Sequence, residues 1–102
     1  MTVGELLNNR RVALNKTAIV LAREIGYDYP NYIYMMESGT SQIPLERMPQ
    51  LVQALGFTKM ERVEFLKKVL QEQRPRLYKI FKEAFGINNV KTRKVVTVRR
   101  KK

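Results

Sequence analysis

Cysteine and histidine are both absent from this chain of 102 residues. Their absence removes disulfides, thiolate nucleophiles, zinc-finger ligand sets and imidazole catalysis together. Long apolar runs are lacking as well: no stretch approaches the ~18 residues that a membrane span needs. The opening residues, MTVGELLNNRR, hold neither an apolar signal-peptide core nor a cleavage site, so the expected location is the cytoplasm. Acidic residues are few, nine against 20 Lys and Arg. They are scattered without a convincing carboxylate pair, and no glycine-rich phosphate loop is present. An enzyme is therefore not expected, nor is a metal or a cofactor.

Basic charge is what the chain has in excess, a formal net +11. It is unevenly spread, with seven basic and no acidic residues in 86–102. A positive field of this kind favours polyanions and raises their on-rates, which makes nucleic acid the first partner to consider. The length suits one domain built on a single core.

Residues 17–37, TAIVLAREIGYDYPNYIYMME, organise the rest. Ala18, Leu21, Ala22 and Ile25 share a stripe at helical spacing, with Thr17 as N-cap. Gly26 supplies the left-handed residue that ends this helix. Asp28 or Tyr29 is expected to cap a second helix, where Pro30 forfeits no needed N–H. Ile33 and Met36 point to one side of it, and Asn31, Tyr34 and Met35 to the other. The small Ala22 permits a close crossing, as a helix-turn-helix requires. Of the three tyrosines 29, 32 and 34, one or two are expected in the core, Tyr29 and Tyr32 foremost.

Around this unit the patterning predicts an all-α chain. A first helix over residues 3–14 places Val3, Leu7, Arg11 and Leu14 on one face. Arg11 therefore needs an internal anion, while Arg10 should be solvated. Ile19 and Val20 break the amphipathic pattern, so either a later helix covers them or they contact a partner. SGTSQIP reads as a loop, and LERM as a turn before a helix that becomes regular at Pro49 and ends at Gly56. Thr58 and Glu61 form the capping box of a fifth helix, roughly 58–73, with Val63, Phe65, Leu66, Val69 and Leu70 as its apolar positions. A sixth helix over 76–85 carries a wide stripe of Leu77, Ile80, Phe81, Ala84 and Phe85. It either covers Ile19 and Val20 or pairs with a second copy. The tail, INNVKTRKVVTVRRKK, reads as a flexible basic arm, or as a strand formed in a dimer.

Several of these pieces, in their order and spacing, make residues 3–57 resemble the phage-repressor-like (Xre-type, lambda-repressor-like) helix-turn-helix family. They are R-R at 10–11, L-A at 21–22, I-G at 25–26, I-x-x-M-E-S-G at 33–39, Pro44, and L-V-x-A-L-G at 51–56. The resemblance implies a five-helix DNA-binding domain, here with an extra C-terminal helix and a basic tail. Residues 1–57 would be the helix-turn-helix core, 58–86 the helices that complete it or dimerise, and 87–102 the tail. It also implies an anion for Arg11, namely Glu37. Two departures stand out: segment 26–33 is one residue longer than in the best-known repressors, and the reading helix is aromatic, without the usual Arg, Gln or Ser.

The function implied is a transcriptional regulator, a repressor binding a two-fold operator in double-stranded DNA as a homodimer. Asn31, Tyr34 and Met35, with Tyr32 in reach, would face base edges. Thr17, Thr40, Ser41 and Gln42 would hold the DNA backbone, and Lys91, Arg93 and Lys94 would add phosphate contacts. The alternative is a protein-interaction module, antitoxin-like or co-activator-like, in which DNA binding is secondary.

Overall fold

The computed structural model describes residues 1–86, and among them every regular element is helical. In chain order these are α1 (Val3–Ala13), α2 (Ala18–Glu24), α3 (Asn31–Ser38), a 3-10 turn (Leu45–Arg47), α4 (Met48–Ala54), α5 (Lys59–Gln73) and α6 (Pro75–Phe85). The all-α expectation holds for these residues.

Local chemistry explains most boundaries. Thr2 caps α1 in a capping box with Glu5, and Thr58 caps α5 the same way with Glu61. The Thr58 N–H donates to the Glu61 carboxylate at 2.8 Å and holds that carboxyl below its ordinary range. Thr17 caps α2 as expected, accepting from the Val20 N–H. Gly26, with φ +94°, ends it. The start of α3 differs from expectation. Neither Asp28 nor Tyr29 caps it. Pro30 is itself the N-cap residue, already at φ −75° and ψ −11°, and its carbonyl accepts from Ile33 and Tyr34. Proline's restricted φ presets the chain for helix entry, and no side chain caps the first turn.

One core joins the elements. Leu7 of α1, Leu21 of α2 and Ile25 just after it, Ile33 and Met36 of α3, and Leu51 and Leu55 at α4 are all fully buried, with Ile43 contributed by the loop. Phe65 and Val69 add α5 to this core. α3 packs against both α1 and α2, and α5 against α1. The α1–α3 approach is close because residue 4 is glycine: a Cβ there would meet the Glu37 carbonyl oxygen, and the Met36 carbonyl oxygen at 2.7 Å.

Polar clamps complete the packing. Glu72 of α5 accepts from the Val3 N–H with both oxygens, at 2.9 Å each, placing a carboxylate at the positive end of α1. Gln73 accepts from the Ile43 N–H at 2.8 Å, and its own carbonyl accepts from the Gln42 side chain.

Several outer positions depart from the expected pattern. Val63 is exposed, because the inward face of α5 is completed by Phe65, Val69 and Leu70. Ile19 is half-buried and Val20 exposed: α6 packs against α5 and leaves Val20 open. On α6 itself, Leu77, Ile80 and Ala84 are exposed. No helix is long and apolar enough to cross a membrane among the described residues.

Candidate nucleic-acid interface

The 3.6-residue period sorts the side chains of α3 into two sets. Ile33 and Met36 go into the core, and Asn31, Tyr32, Tyr34 and Met35 remain exposed. The helix is held in this rotation by an ion pair at its inner end. Arg11 Nε donates to Glu37 Oε2 at 2.6 Å and Arg11 Nη2 to Glu37 Oε1 at 3.1 Å, with the two side chains only 11% and 9% exposed. Arg11 Nη1 also donates to the Lys16 carbonyl, and Asn8 Nδ2 donates to Glu37. The hydrogen bonds that Arg11 donates to Glu37 raise the Arg11 pKa above its ordinary value, against the desolvation that burial imposes. The internal anion that Arg11 needs is thus Glu37. The clamp joins α1 to the last turn of α3.

The aromatic residues are placed differently from expectation. Tyr29 and Tyr32, expected in the core, are 68% and 50% exposed, and Tyr34 is 56% exposed. Of the tyrosines in residues 27–34, Tyr27 is the half-buried one; its ring stacks on Tyr32 at 4.6 Å while the Arg47 guanidinium lies over it at 4.5 Å. Core space between α2 and α3 is filled by aliphatic side chains, and the tyrosines are left to the connection and the outer face. A shallow concavity there is lined by Tyr29, Asn31, Tyr32 and Met35. Tyr29 was not among the expected contact residues. Its place immediately before Pro30, ahead of the helix rather than within its period, was the available signal.

The expected backbone-contacting residues do not form one set. Thr40 is exposed and its hydroxyl pairs with that of Ser38 at 2.8 Å. Ser41 is half-buried, its N–H donating to the Met35 carbonyl, which folds the loop back on the last turn of α3. Gln42 is turned away, its side-chain amide donating to the Gln73 carbonyl at 2.9 Å. The Thr17 hydroxyl serves as the cap of α2. Asn31, Tyr32 and Met35 are brought together in the concavity, with Thr40 and Ser41 at the far end of the helix. Lys91, Arg93 and Lys94 lie outside the described residues.

The cations of residues 1–57 are largely employed inside the fold. Arg10, expected to be solvated, is half-buried: it donates to the Leu55 and Gly56 carbonyls at 2.8 and 3.0 Å and lies over the Phe57 ring. Lys16 donates to the Ala54 carbonyl and pairs with Glu24. Arg47 donates to the Ile25 carbonyl. All three satisfy carbonyls at helix C-terminal ends, where positive charge is favoured. Arg23 is exposed on α2, and no Lys or Arg occurs between it and Arg47. The exposed face of α3 therefore offers amide, phenol and thioether groups, and the helix itself contributes no cation. No group of His, Cys, Asp and Glu side chains suited to a metal occurs among the described residues.

No family model, curated protein or solved structure matches this chain.

Proposed function

We propose that the chain is a sequence-specific DNA-binding transcriptional regulator, a repressor of the lambda-repressor-like helix-turn-helix type that binds a two-fold operator as a dimer. The observation that carries this reading is the state of α3. It is clamped to α1 at Glu37, buried through Ile33 and Met36, and free along Asn31, Tyr34 and Met35. A helix so held suits insertion into a major groove, which admits one α-helix. Asn31 would pair with adenine through both amide atoms, and Tyr34 and Met35 would contact thymine methyls or phosphates. Thr17, Thr40 and Ser41 would position the duplex; Gln42 would do so only after releasing Gln73. Because α3 itself carries no cation, attraction to phosphate would come from cations elsewhere in the chain, above all the seven basic residues of 87–102.

Selection from a randomised duplex library tests the reading, with wild type beside the Asn31→Ala/Tyr34→Ala variant. Enrichment of an inverted repeat by the wild type alone is the expected result. Retention of duplex without any enriched motif would exclude a specific regulator.

A second reading, a protein-interaction module, draws on a specific observation. The exposed group of Tyr29, Tyr32, Tyr34 and Met35 has the aromatic and methionine composition of a protein-binding surface. A monomer with weak, sequence-blind DNA binding would favour it.

A further inference from the structure

Two apolar features next to α5 are left uncovered among the described residues. The first is the outer stripe of α6. Leu77 and Ile80 are 44% and 60% exposed, Ala84 is exposed, and the three are spaced by three and four residues, the spacing of a helix–helix seam. Arg76 and Lys79, both exposed, flank the stripe. The second is an open groove beside the start of α1 that runs along α5 from Met60 to Gln71, about 670 Å³ in volume, and Gln71 at its far end donates to the Tyr78 hydroxyl of α6. Leu6, Phe57, Met60 and Phe65 supply its apolar lining, and Glu61 and Glu64 its acidic edge; Lys67 and Lys68 lie farther along, Lys68 facing Glu72 at 3.9 Å.

We propose that the groove of one copy receives α6 of a second copy, and the reverse, giving a two-fold dimer by reciprocal exchange. The apolar stripe matches the apolar lining, and the early cations of α6, Arg76 and Lys79, match the carboxylates at the start of α5. If two α5 helices pack antiparallel about a two-fold axis, the C-terminal end of each lies beside the N-terminal end of the other, so α6 emerges next to the partner's Met60 and Glu64. Such an interface is isologous and closes on itself. The inference supplies a pairing surface for the two-fold operator reading, and its test involves no DNA, so either can fail without the other.

Sedimentation equilibrium of the full chain is the first measurement, with Leu77→Glu/Ile80→Glu as the disrupting variant. Wild type should sediment as a dimer, and the variant should need at least about tenfold more protein to dimerise, with unchanged helical circular dichroism. Because the chain has no native cysteine, Met60→Cys/Ile80→Cys gives an independent test. The double variant should oxidise to a covalent dimer on a non-reducing gel, and neither single variant should. A monomeric wild type would overturn the proposal, as would cross-linking of Ile80→Cys alone, which would indicate α6-to-α6 pairing. A monomer that binds vesicles of anionic phospholipid through Leu77 and Ile80 would reassign the stripe to a membrane surface.

Discussion

Glu37 accepts hydrogen bonds from Arg11 and Asn8, so one carboxylate holds α1 and α3 in register. Leaving out either charge strands the other in a site that water barely reaches. Removal of one member of a buried pair usually destabilises by several kcal/mol, even where the intact pair adds little net stability. Glu37→Ala should therefore lower stability by about 2–4 kcal/mol, read as a shift of the urea midpoint at constant slope. Arg11 shows how far a single position can be read without coordinates. The helical period places a guanidinium on the buried stripe and demands an anion. Nothing in the period names Glu37, which comes from the resemblance. Arg10 shows the reverse. One step round the helix it ought to be solvated, and it is drawn instead to the carbonyls of Leu55 and Gly56, 45 and 46 residues away in sequence.

At the scale of elements, the crossing of α1 and α3 depends on Gly4. In an exposed helix, alanine is favoured over glycine by roughly 1 kcal/mol. Here the added methyl would press on the Met36 and Glu37 carbonyl oxygens, which are backbone atoms that cannot swing aside. Gly4→Ala should thus destabilise by about 1–3 kcal/mol, opposite in sign to helix propensity, and thermal denaturation would measure it. Helix existence was legible because capping signals and apolar periods are local: Thr17, the Thr58–Glu61 box and Gly26 all perform as read. The tyrosines were not legible. Whether an aromatic ring is inside depends on whether the crossing helices leave room for it, and α2 and α3 fill their contact with Leu21, Ala22, Ile25, Ile33 and Met36.

For the whole molecule, charge is the property with the longest reach. Cations of the first 57 residues are mostly bound to internal carbonyls or to Glu37, whereas residues 87–102 hold seven basic groups and no acidic ones. If the chain binds duplex DNA as proposed, ending it at Gly86 should flatten the dependence of log K on log salt by up to about 6. Sequence preference should survive, since phosphate contacts position and base contacts specify. Anisotropy titrations between about 50 and 200 mM salt would give both slopes.

By itself the sequence determined the helical class, the caps, the inward stripes of α2 and α3 and the uneven charge. Each of these follows from interactions within a few residues or from composition. Tertiary structure decided which cations remain available to a partner, that Tyr29 and Tyr32 stay outside while Tyr27 packs under Arg47, that Gln42 anchors α5, and that α6 leaves Val20 uncovered. Those outcomes depend on which backbone carbonyls and apolar faces meet across long stretches of chain, and a local pattern carries no record of that meeting.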